Sequence, residues 1–224
     1  MDFSFNRRIS KIIKCFIVMV LMGLSVVNAQ NKTNNTNKNN DSAILLAQML
    51  QKSSTLVGNF SQLTLDGTGA KLQEMSGSMQ LKRPHKFRWQ ILEPIEQLML
   101  SNGDKLWIYD PDLEQVTVQK LDERFMHTPG VLLSGDSQQI SNNFEVTHST
   151  SGSIIDFILK PKVENPLFVS LRISMRDNVL NDIQMIDSVG QRTNIIFFAL
   201  KENEKLADAD FEFIVPVGVD VVEQ

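Results

Sequence analysis

From residue 41 onward, apolar residues first recur at three- and four-residue spacing and then at every second position. Leu45, Leu46, Met49 and Leu50 form one helical stripe behind Asp41, a residue suited to cap a helix start, and Gly58 marks the expected end of that helix. Beyond it the pattern predicts strands near 57–65, 73–82, 86–92, 96–101, 105–109, 114–120, 143–149, 153–160, 168–175, 179–186, 192–200 and 210–214. Asp66-Gly67 and Asn102-Gly103 are hairpin dipeptides, because such residues readily take positive φ. Glu93-Pro94, Asp110-Pro111, Asn165-Pro166 and Val189-Gly190 punctuate the rest. Thr128 to Ser134 interrupts the meander as a short helix or loop, apolar through Val131, Leu132 and Leu133. The sum is a mostly β chain: one strongly curved antiparallel sheet with helices packed on its concave face.

Within that sheet both faces carry apolar residues. Phe87, Trp89 and Ile91 share one face of their strand, while Arg88, Gln90 and Leu92 share the other. Leu98 and Leu100 oppose Met99, and Leu106 and Ile108 oppose Trp107 and Tyr109. A sheet covered on two sides explains this, and so does a ligand cavity on one of them. Met49, Met79 and Met99 fit either case, since unbranched thioethers serve both ordinary cores and adaptable binding surfaces.

Ahead of this domain the chain reads differently. Arg7, Arg8, Lys11 and Lys14 precede an apolar run from Cys15 to Val27, and Val27-Asn28-Ala29 closes it with small residues at the right spacing. That is a secretory signal peptide over residues 1–29, its apolar run short for a membrane span of about 20 residues. Residues 30–40, QNKTNNTNKNN, contain no aliphatic side chain and read as a flexible Asn-rich leader. Residues 41–224 form the folded domain. Cys15, the single cysteine, falls inside the signal, and Ile13-Lys14 before it does not make a lipobox.

Charge and chemistry narrow the function by exclusion. The 224 residues carry 22 Lys+Arg against 26 Asp+Glu, for a net charge of −4. That balance argues against a nucleic-acid partner, which needs a basic face. Removal of the signal leaves 18 basic and 25 acidic residues and no cysteine, which suits an exported, soluble protein of the periplasm. His85, His127 and His148 stand apart without metal-ligand spacing, so no metal is expected. Ser76-Gly77-Ser78 and Ser151-Gly152-Ser153 read as turns, and Gly67-Thr68-Gly69-Ala70-Lys71 lacks P-loop spacing. No catalytic residues and no cofactor are assigned.

One stretch is more specific. Leu81-Lys82-Arg83-Pro84-His85-Lys86-Phe87-Arg88-Trp89 is followed by Glu93-Pro94 and by Ser101-Asn102-Gly103-Asp104-Lys105-Leu106-Trp107-Ile108-Tyr109-Asp110-Pro111. With Phe60-x-Gln62, Thr128-Pro129, Phe211-x-Phe213 and Pro216-x-Gly218-Val219, this order resembles the outer-membrane lipoprotein carrier family, LolA, over essentially all of residues 41 to 224. The resemblance implies an incomplete antiparallel β-barrel whose apolar concavity is covered by helices acting as a lid. It also implies a monomeric chaperone with three kinds of partner. These are acylated lipoproteins, an ATP-driven release complex in the inner membrane and an acceptor lipoprotein on the outer membrane.

The same resemblance assigns residues. Arg83 aligns with the arginine that latches lid carbonyls and holds the empty carrier closed. Phe87, Trp89, Ile91 and Met99 line the acyl-chain cavity, joined by Leu46, Met49 and Leu50 of the first helix. Val131, Leu132 and Leu133 form the lid's apolar face. Arg88 alternates away from Phe87 and is read as outward-facing and partner-binding. The alternative is an envelope adaptor of the same fold that senses lipids or proteins and transfers nothing; an exported hydrolase is a third reading.

Overall fold

The computed structural model describes residues 35–121, 133, 138–163 and 168–223. The signal peptide and residues 30–34 of the leader lie outside these, as do Val131, Leu132 and Thr128-Pro129. Helix α1 (Asn35–Gln51) precedes six strands: β1 (Thr55–Leu65), β2 (Lys71–Lys82), β3 (Lys86–Glu93), β4 (Gln97–Asn102), β5 (Lys105–Asp110) and β6 (Gln115–Lys120). After the short helix α2 (Gln138–Asn143) come β7 (Phe144–Ser151), β8 (Ile154–Pro161), β9 (Ser170–Arg176), β10 (Val179–Ile186) and β11 (Arg192–Glu202). A 3-10 turn (Asp208–Phe211) and β12 (Asp220–Glu223) complete the described chain.

All twelve described strands join one strongly curved open sheet in the order β12-β6-β5-β4-β3-β2-β1-β11-β10-β9-β8-β7. Two meanders, β1–β6 and β7–β11, are stitched together where β1 pairs with β11, each 11 residues long. Every described pairing is antiparallel except β12 on β6, which is parallel and departs from the wholly antiparallel expectation. Polar side chains close the turns. Asn102 Oδ1 accepts from the amides of Asp104 and Lys105, both at 3.0 Å. Asp66 Oδ1 accepts from the Thr68 hydroxyl and from the amides of Ala70 and Thr68, which holds its carboxyl below the usual range.

Three boundaries differ from the sequence reading. Helix α1 starts at Asn35 instead of Asp41, because intrahelical backbone bonds need no apolar side chain. It ends at Gln51, and Gly58 lies inside β1 at a register shift. Residues 210–214 are not a strand. Asp210 Oδ2 accepts from the Ala207 amide at 2.8 Å and turns the chain instead.

Among the described residues two apolar clusters form, one on each face. The larger lies on the inner face under α1 and gathers Ala43, Leu46 and Leu50 of that helix with residues from β1–β3, β5 and β7–β11. The smaller lies on the outer face, where Leu98, Leu100, Trp107 and Val116 are covered by Phe213 and Val219 of the C-terminal segment. Thus β3 and β4 bury alternate residues on opposite sides.

Gly77 marks the tightest approach within the inner layer. It pairs with Phe60 on β1 and Ile91 on β3, at a register shift in β2. A Cβ there would lie 1.9 Å from the Gln90 carbonyl oxygen and 2.9 Å from Phe60 Cζ. The backbone oxygen cannot move without parting two strands. Gly77→Ala is therefore expected to cost about 1–3 kcal/mol of stability, seen as a lower urea midpoint at unchanged slope. Wild-type stability in that variant would contradict the close approach.

Candidate functional site

The inner face is an apolar wall. Phe60 is fully buried and stacks on Trp89 with ring centroids 4.3 Å apart, and Trp89 meets Phe197 edge-on at 6.1 Å. Phe87, Trp89 and Ile91 all point into this cluster from β3, and Met99 packs against it, half-buried, from β4. Leu46 and Leu50 enter from α1, with Met49 at the margin of the same stripe. Leu133 is fully buried in the same cluster. The far half of the wall, including Phe157, Leu159, Leu171 and Ile173 on β8 and β9, is not among the residues that the sequence reading assigns. Its period-two alternation is nonetheless legible there as a buried face.

Helix α1 is docked on this wall by more than its stripe. Ser42 Oγ and His148 Nδ1 of β7 lie 2.9 Å apart in a hydrogen bond, and α1 also contacts α2. Both are cover over apolar ground.

Arg83 sits where that cover meets the sheet. It occupies the β2–β3 turn, and its amide donates to Ser54 O at 3.0 Å. Its Nε donates to Ser53 O at 3.0 Å, just beyond the end of α1, and its Nη1 donates to the carbonyl of Leu133. One planar guanidinium thus ties the turn to the α1–β1 junction and to the segment between β6 and α2, a geometry Lys could not reproduce. Burial pushes its pKa down to about 10, so it stays charged at neutral pH.

The outer face carries a different feature. Arg88 points away from the wall, as its alternation predicts, into a cleft of about 330 Å³ bordered by Tyr109, Phe213 and Ile214. The C-terminal segment forms one side of that cleft, with Phe213 packed 5.4 Å from Tyr109 and 6.5 Å from Trp107. Upstream, Asp208 Oδ1 accepts hydrogen bonds from Lys82 Nζ and Lys86 Nζ, both at 2.8 Å. Among the described residues, no three His, Cys, Asp or Glu side chains are grouped to hold a metal ion.

The chain is similar to known proteins over most of its length. The family model for outer membrane lipoprotein carrier protein LolA matches residues 51–214. An outer-membrane lipoprotein carrier protein of Azotobacter vinelandii is 57% identical over 179 residues, covering 80% of this chain and 86% of that protein. One from Pseudomonas aeruginosa is 51% identical over 211 residues, covering 93% and 97%. In fold, the chain is similar to an uncharacterized conserved protein from Thermus thermophilus. That match has a TM-score of 0.53 at 11% identity and covers 82% of this chain and 99% of that one.

The electrostatics of the C-terminal tether are directly measurable. Hydrogen bonds from Lys82 and Lys86, with their charges, hold the Asp208 carboxyl down at about 2. A depressed carboxyl contributes to the fold above its ordinary pKa of 3.8 and loses that contribution as pH falls through about 2. An NMR titration of the Asp208 carboxyl carbon should show a midpoint near 2, and the Lys82→Gln/Lys86→Gln variant should return it toward 3.8. A midpoint near 3.8 in the wild type would show that the tether does not persist in solution.

Proposed function

Because the chain belongs to the LolA family of outer-membrane lipoprotein carriers, we propose that it shelters the acyl chains of lipoproteins against its inner wall and carries them through the periplasm. Residues 1–29 act as a cleaved export signal in this reading. The donor is an ATP-driven complex of the inner membrane that releases lipoproteins, and the recipient is an acceptor lipoprotein on the outer membrane. The protein works as a monomer and takes its energy from the donor.

The physical demand is severe. Each buried methylene is worth roughly 0.8 kcal/mol, so one long acyl chain gains roughly 10 kcal/mol by leaving water. A carrier must match that gain and still let go. The observation that carries the reading is Arg83, whose guanidinium joins the sheet to Ser53 O and Leu133 O above the apolar wall. Opening the cover breaks these bonds, and the cost of opening is subtracted from the gain of burying cargo. The closed state thereby sets an affinity weak enough for handover.

Two variants test this together. Arg83→Leu removes the bonds that favour closure, so affinity for a palmitoylated peptide should rise about tenfold while transfer to the acceptor falls. Phe87→Glu places a carboxylate on the wall and should abolish loading, whereas Phe87→Leu should load within about threefold of wild type. Circular dichroism and urea melts establish that each variant is folded. Normal handover by Arg83→Leu, or normal loading by folded Phe87→Glu, would defeat the proposal.

A further inference from the structure

The turn that carries Arg83 is bracketed by two lysines. Lys82 and Lys86 are directly opposed partners in the β2–β3 ladder, where like charges repel. Asp208 lies between them and accepts from both ammonium groups at 2.8 Å, although 70% of its own side chain remains exposed. Lys82 Nζ also donates to Leu206 O at 2.8 Å. The same segment is fastened at the α1–β1 junction. Thr55 Oγ1 donates to Glu204 O at 2.7 Å, and the Ser54 amide donates to Asn203 Oδ1 at 2.9 Å. Ser53 and Ser54 are also the residues whose carbonyls receive Arg83. The start of the C-terminal segment, the junction and the turn therefore close a ring of contacts around the guanidinium.

We propose that Asp208 is a positioning residue for Arg83: by neutralising the opposed Lys82 and Lys86, it holds the turn closed and keeps the guanidinium aimed at the Leu133 carbonyl. Asp208 touches no cargo and no lid atom in this scheme. Its consequence for cargo handling rests on the latch reading above, whereas the positioning itself does not.

Asp208→Asn keeps the side chain's shape, removes its charge and leaves two ammonium groups facing each other. The turn should loosen, and exchange of the Arg83 Nε–H with solvent, followed by ¹⁵N NMR, should quicken about two- to fivefold, as befits an exposed ion-pair network. Asp208→Asn/Lys86→Gln removes the repulsion and should restore the wild-type exchange rate. Simple loosening of the C-terminal segment would give no such rescue. Unchanged exchange in Asp208→Asn, or no recovery in the double variant, overturns the proposal. Affinity for a palmitoylated peptide supplies the second readout. Arg83→Leu/Asp208→Asn should match Arg83→Leu alone, and additive effects would overturn positioning through Arg83. If Arg83→Leu leaves that affinity unchanged while exchange responds as stated, the latch reading fails and the positioning role stands.

Discussion

In the proposed carrier the inner face of the sheet must be hidden from water when empty, yet its cover must be removable. Phe60, Met79, Trp89 and their neighbours form an apolar surface too large to leave bare. If the cover were held by apolar contact alone, it would compete with cargo for the same wall on the same terms. Arg83 changes those terms. In the proposed cycle its bonds to Ser53 O and Leu133 O break when the cover lifts, which gives closure a polar component that cargo cannot replace.

The opposite face explains why the strands looked apolar on both sides. Leu98, Leu100, Trp107 and Val116 form a conventional second layer, closed over by Phe213 and Val219. Among the described residues the sheet is covered on both sides, which accounts for the pattern. The inner residues form a wall beneath helical cover, and the outer ones a small core beneath the C-terminal segment. That segment then adds β12 to the sheet beside β6 and starts from the tether at Lys82 and Lys86. It connects the outer layer to the turn that bears Arg83.

Much of this is readable from residue order. The strands of both meanders stand out because side chains alternate along a pleat and Asp-Gly or Asn-Gly pairs close hairpins. The segment at 210–214 shows the limit of that signal: Phe211-x-Phe213 has strand spacing, but Asp210 turns the chain and Phe211 is buried from a 3-10 turn. Asp220–Glu223 is too short for periodicity to register, and periodicity carries no information about strand direction. The inward set Phe87, Trp89 and Ile91 follows from alternation, whereas Arg83 stands out only through family resemblance. Asp208 carries no signal at all, since an exposed carboxylate in sequence looks like any solvated charge until two lysines are found around it.

The most direct measurement is to locate the acyl chain. A peptide bearing a photoreactive diazirine palmitoyl group would be loaded onto the protein, irradiated, and the adducts mapped by mass spectrometry. The account predicts labelling of peptides containing Leu50, Phe60, Met79 and Trp89, which share the inner wall. Labelling confined to the outer cleft around Tyr109 and Phe213, or none above the level of an unacylated diazirine peptide, would contradict it.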